Sequence, residues 1–177
     1  MLEELKTQKE LQMIVFKIGD ENYTVPIKYV QEIITPQMIT HLPKLPSIEG
    51  VINLRGHIVP IVCGKSKFGL PLNDKYKQDR RIIIFDISNK IIGLIVDDVS
   101  EVIHLKTSEI ESPPVEDIEK HSFIQGICKY HNKLLILIDP KKLLSFTESD
   151  DIKKLAKMVE VMKKQSHDSL TSAGSTL

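Results

Sequence analysis

Six residues, Ile14, Phe16, Ile18, Val30, Glu32 and Ile34, recur as Ile83, Phe85, Ile87, Val99, Glu101 and Ile103, each 69 positions further along the chain. Val-x-Glu-Ile-Ile at 30–34 thus returns as Val-x-Glu-Val-Ile at 99–103. A second set follows: Ile48, Gly50, Val51 and Leu54 match Ile124, Gly126, Ile127 and Tyr130 at a separation of 76. The increase falls within the polar connector Lys106–Ser122. A constant separation that holds glycines and glutamates, not only interchangeable aliphatics, marks an internal duplication. Each copy is too small to bury much apolar surface alone, so the halves must pack together. The groove between them is a natural binding place.

The repeated material reads as strands. MIVFKI (13–18), NYTVPI (22–27), GVINL (50–54), HIVPIV (57–62), RIIIFDI (81–87), IIGLIVDDV (91–99), QGICKY (125–130) and LLILID (134–139) are short Val/Ile-rich runs separated by turns. GDEN (19–22) and ISNKI (87–91) each join neighbouring runs as hairpins. Short strands at this spacing predict barrels or sandwiches, not a parallel α/β sheet.

Charge narrows the functions. Lys plus Arg (24) equals Asp plus Glu (24), so there is no basic field to neutralise phosphates. The few aromatics, five Phe and four Tyr with no Trp, fall mostly inside apolar strand patterns. An oligonucleotide-binding barrel, which needs exposed stacking rings, ranks third among the readings. The charged start MLEELKTQKELQ has no apolar signal segment, and no apolar run approaches the roughly 18 residues that cross a bilayer. Cys63 and Cys128 are far apart. The expectation is a soluble cytoplasmic protein with reduced thiols, no nucleic-acid partner and no membrane insertion.

Enzyme chemistry finds little support. His57 and Cys63 share a strand face but lie about 20 Å apart by strand rise. Asp97, Asp98 and Glu101 lack the glycine-bearing loop of a calcium site. The six histidines, His41, His57, His104, His121, His131 and His167, form no metal-binding spacing. There is no phosphate-binding loop and no nucleophile elbow. No enzyme activity, metal or cofactor is expected.

Four blocks, IVFKIGDENYTVPIKYVQEII, LPxxPxxIEGVINLRGxIVPIV, IIGLIVDDVSEVI and FIQGICKYHNKLLILIDPKKLL, taken in this order, resemble the chemotaxis adaptor family, CheW. The likeness covers residues 12–147. It implies a mainly β fold of two small SH3-like, five-stranded β-barrels, divided here at roughly 12–80 and 81–147. It also implies a non-enzymatic scaffold that couples the cytoplasmic tips of chemoreceptors to a CheA-type histidine kinase. Recruitment to membrane receptor arrays, and self-association in their rings, follow from the same likeness; the alternative is a specialised coupling paralogue serving a different receptor or kinase pathway. On this pattern Val30, Glu32, Gly50, Arg55, Gly56 and Gly93 are receptor-binding candidates. The kinase contact falls on the second barrel near Ile91–Val99, with Val96, Val99 and Glu101 as candidates. From its own chemistry, the planar guanidinium of Arg55 suits carboxylates and carbonyls of a partner. It could equally pair with a carboxylate such as Glu32 and brace the barrels. Gly50 and Gly56 suit close backbone approach or positive φ.

The chain departs from the family where Asp-Leu-Arg is usual, reading Cys63-Gly64-Lys65 instead. The repeat independently aligns Cys63 with Asp139, so one copy keeps a carboxylate that the other lacks. Cys63 then reads as a small buried hydrophobe, or as the mark of altered partner affinity. At the ends, Leu2–Leu11 could form a short helix. In DDIKKLAKMVEVMKKQ, Ile152, Leu155, Val159 and Met162 form an apolar stripe that predicts an amphipathic helix over 148–165. It would pack on its own domain or dock a partner. Residues 166–177 have a disordered composition.

Overall fold

The computed structural model describes residues 7–41, 48–72, 79–113 and 122–144. The amphipathic helix at 148–165 and the tail at 166–177 lie outside the described residues.

Among the described residues twelve strands form two six-stranded sheets. The strands are β1 (Glu10–Ile18), β2 (Glu21–Pro26), β3 (Val30–Ile34), β4 (Thr40–His41), β5 (Gly50–Leu54), β6 (His57–Cys63), β7 (Arg81–Ile87), β8 (Lys90–Val96), β9 (Asp98–Lys106), β10 (Ile110–Glu111), β11 (Ile124–Tyr130) and β12 (Lys133–Ile138). One-turn helices α1 (Gly64–Lys67) and α2 (Pro140–Leu144) follow β6 and β12. One sheet has the order β10-β11-β12-β2-β1-β9 and the other β3-β7-β8-β6-β5-β4. Each has five strands of working length plus a two-residue edge.

Each sheet curls around its own apolar cluster. Leu11, Met13, Val15, Ile103, Leu105, Leu135 and Leu137 fill the first barrel. Ile52, Leu54, Val59, Ile61, Ile82 and Ile84 fill the second, with Ile34 and Ile39 packed against them. A third cluster lies between the barrels and includes Ile14, Phe16, Ile18, Tyr23, Val62, Ile83, Phe85, Leu94 and Phe123. This explains why β1 and β7 read as continuous apolar runs. Alternate side chains point to opposite faces, and both faces are covered: Met13 and Val15 face their barrel, Ile14 and Phe16 the shared core. The repeated residues Ile14, Phe16, Ile83 and Phe85 all meet in that shared core.

The pairing repeats as the sequence does. β1 pairs β2 and β9, and correspondingly β7 pairs β8 and β3. The parallel pair Leu137↔Thr24 has its counterpart in Ile61↔Gly93. A division near residue 80 does not separate the barrels. The second barrel is the unbroken stretch β3–β8, and the first combines β1–β2 with β9–β12. The reason is the parallel contact: each first-position hairpin pairs with strands of the other copy, so the chain enters one barrel, completes the other and returns.

The helix expected at Leu2–Leu11 is not what its described part forms. Glu10 and Leu11 begin β1, paired with Lys106 and Leu105. Burial of Leu11 in the barrel outweighs the weak local helix preference.

Candidate functional site

The β5–β6 hairpin closes through two residues, Arg55 and Gly56, between the paired Leu54 and His57. Both are left-handed, with φ of 51° and 86°, the geometry that matches the twist of a two-residue hairpin. The Gly56 N–H donates to Asn53 Oδ1 at 2.8 Å. Space around Gly56 is open, so φ alone calls for glycine there. Arg55 carries a side chain in a region that disfavours one by about 1–2 kcal/mol.

From this turn the guanidinium reaches Glu32 on β3, with Nη1 donating to Oε1 and Nη2 to Oε2, both at 2.9 Å. The Arg55 side chain is 72% exposed and that of Glu32 20%. Both ends belong to the β3–β8 barrel, so the pair links β3 to the β5–β6 turn on the surface of one barrel and does not join the two.

The other copy carries a related arrangement. Lys133, at the start of β12, lies 3.4 Å from Glu101, the counterpart of Glu32. Exposed aliphatics also recur at matching positions: Ile33 and Ile58 in one copy, Val102 and Leu134 in the other, again at separations of 69 and 76. The sequence reading missed these four. Their signal was the repeat itself, applied to outward-facing positions.

The remaining candidates divide. Val30 and Val99 are half-buried against the shared core. Gly50 approaches the Thr40 carbonyl too closely for any side chain, as expected of a close-approach glycine. Gly93 is buried, and a Cβ there would lie 2.9 Å from Ile82 Cγ2 and against Ile61; its place is the barrel interior. Val96 is buried in the shared core. Gly93 has no side chain and Val96 packs in the shared core, so neither presents a side chain to a partner.

At the departure from the family pattern, Cys63 is half-buried and precedes α1 without a side-chain cap. Gly64 does not serve a special φ. A Cβ there would come within 2.6 Å of the Ile95 carbonyl oxygen and 2.9 Å of Ile18 Cδ1, so Ile18 fills the space a larger residue would take. Lys65 is buried and its Nζ lies 3.0 Å from Asp97 Oδ1. Cys63, Lys65, Arg80 and Asp97 line a cavity of about 160 Å³. Asp97, considered from sequence as a metal ligand, is instead a buried partner of cations.

His57 and Cys63 stand at opposite ends of β6. Among the described residues no group of three or more His, Cys, Asp or Glu could hold a metal ion, and no helix is long and apolar enough to cross a membrane. Phe16, Tyr23, Phe68 and Phe123 form a chain of ring contacts 4.7–6.0 Å apart in the shared core, so these aromatics pack and do not offer stacking faces. Burial, with Glu21 adding, pushes the Tyr23 phenol up to about 12. Burial, with Glu109 adding, pushes the Cys128 thiol up to about 11.

These observations define a duplicated two-barrel β domain with paired charges on its hairpins. Residues 12–148 match the family model described as a CheW-like domain, and the chain belongs to that family. It is 36% identical to the chemotaxis protein CheW of Bacillus subtilis over 81% of this chain and 92% of the relative. It is 32% identical to that of Helicobacter pylori over 77% and 83%. The crystal structure of the scaffolding protein TtCheW from Thermoanaerobacter tengcongensis superposes with a TM-score of 0.69 at 39% identity, covering 76% of this chain and 92% of that one.

Proposed function

We propose that this chain is a non-enzymatic chemotaxis scaffold that couples the cytoplasmic tips of chemoreceptors to a CheA-type histidine kinase within membrane-associated arrays. The observation that carries the reading is the Arg55–Glu32 pair. A strained left-handed turn lifts an arginine into solvent, and its carboxylate partner holds the fork in one orientation. Backbone strain kept at an exposed charged residue marks a candidate recognition point, and the relatives named for chemotaxis and scaffolding support a scaffold role. The Ile91–Val99 stretch expected to meet the kinase divides between the barrels, β8 in that of Arg55 and β9 in the other, and Glu101 and Val99 on β9 remain the candidates for the kinase contact.

A second reading, a coupling paralogue serving another receptor or kinase, draws on Cys63, where one copy lacks the carboxylate that Asp139 supplies in the other.

Co-sedimentation with a receptor cytoplasmic fragment, with and without a CheA-type kinase, tests the proposal. Binding by wild type that Arg55→Glu abolishes, with circular dichroism unchanged, is the expected result. Equal binding by both proteins removes Arg55 from the receptor surface. Absence of wild-type binding to either partner overturns the coupling role.

A further inference from the structure

The two lobe junctions that duplication created are not alike. Asp97 is the single residue between β8 of one barrel and β9 of the other, and its side chain is 3% exposed. Its N–H donates to the Lys17 carbonyl at 2.9 Å. Its Oδ2 accepts from the Gly19 N–H at 2.7 Å. Both of those partners belong to the β1–β2 hairpin. Its Oδ1 faces Lys65 Nζ at 3.0 Å and Arg80 Nε at 3.9 Å, from the two segments flanking the cavity of the other barrel. One carboxylate therefore receives donors from both barrels.

The repeat separations place Lys28 opposite Asp97 and Lys141 opposite Lys65. Two like charges occupy the counterpart junction, so the buried pair cannot form there. Both lysines are exposed, with ammonium groups 5.1 and 5.5 Å from the Tyr29 ring centroid. Tyr29 itself is buried in the shared core, and a cation over its ring is a less directional restraint than a buried ion pair.

We infer that Lys65–Asp97 is a one-sided latch that fixes the angle between the barrels. Apolar burial is non-directional, so the buried pair adds an orientation-specific restraint to the packing of the shared core. Separating Lys65 from Asp97 strands charge in a buried place, so the latched side resists opening. The latch thereby sets the angle between the Arg55 face and the Glu101 face whatever partner occupies them.

Residual dipolar couplings of the ¹⁵N-labelled full chain test this, with the amides of each barrel fitted separately. In the wild type one alignment tensor describes both barrels. Asp97→Asn and Lys65→Met should each lose the common tensor, while amide exchange protection within each barrel stays at the wild-type level. Lys65→Arg and Lys28→Ala should retain it. Should Asp97→Asn fail to fold, Lys65→Met decides on the same criterion, since it leaves the Gly19 bond to the carboxylate in place. A common tensor in Lys65→Met, or its loss in Lys28→Ala, overturns the latch.

Discussion

Cys63 and Asp139 occupy the same station in the two barrels, each directly before a one-turn helix, and only Asp139 reaches its helix. Asp139 Oδ1 accepts from the Lys141 N–H at 2.9 Å, whereas Cys63 makes no side-chain cap. The carboxylate missing from one copy is thus an N-cap. Cys63→Asp is expected to raise stability, and Asp139→Ala to lower it, each by about 0.5–2 kcal/mol. Urea midpoints measure both. If Asp139→Ala leaves its midpoint unmoved, the capping role is wrong.

Gly64 and Gly93 are held by space, Gly56 by backbone angle. Gly64→Leu and Gly93→Ala overpack a filled interior and should cost about 1–3 kcal/mol. Gly56→Ala, with nothing near its Cβ, should cost about 1–2 kcal/mol through φ alone. Gly56→Asn should recover part of that loss, since asparagine tolerates the left-handed region. Equal losses for Ala and Asn at position 56 would refute the backbone explanation.

Arg55 and Glu32 should matter little to the fold. A double-mutant cycle of Arg55→Gln with Glu32→Gln is expected to give a coupling of at most about 1 kcal/mol in unfolding free energy, shrinking with added salt. A coupling of several kcal/mol would make the pair a structural strut.

Thiol titration should count one readily modified cysteine in the folded protein and two after unfolding. Cys63 is half-buried, while Cys128 is buried and its thiol is held at about 11. Fast modification of Cys128 before unfolding would contradict the packing.

Stability should also fall on the alkaline side. Cys128 and Tyr23 titrate near 11 and 12 in the folded protein, against ordinary values of 9.0 and 10.0. The folded form keeps protons that the unfolded chain releases. Their contribution is complete below pH 9 and is lost as pH rises through the folded values. Cys128→Val should remove the part of the decline between pH 9 and 11, which urea melts across that range would show.

The strands were legible because their residues are covered on both faces, leaving long Val/Ile runs such as β7. The duplication was legible because Glu32 and Glu101 keep one separation. Which copy pairs with which was not: Met13 meets Ile103 across most of the chain, and equivalence of positions does not say whether the copies pair within or across. Lys65 and Asp97 were hidden for a similar reason. Each reads locally as an ordinary surface charge, and only the crossover between β8 and β9 buries them together. At Glu10–Leu11 the local pattern pointed to a helix, and pairing with β9 overrode it.

The insertion of β3–β8 in the sequence between β2 and β9 of the other barrel also has a temporal consequence. During synthesis the β1–β2 hairpin emerges first, yet its partners β9 and β12 come last. The inserted barrel has all its strands once Val96 has emerged. For that interval Phe16 and Tyr23 have Phe85 and Leu94 to pack against, but Met13 and Val15 have no barrel to enter. The early hairpin is thus a waiting edge, sheltered on one side by the barrel made after it.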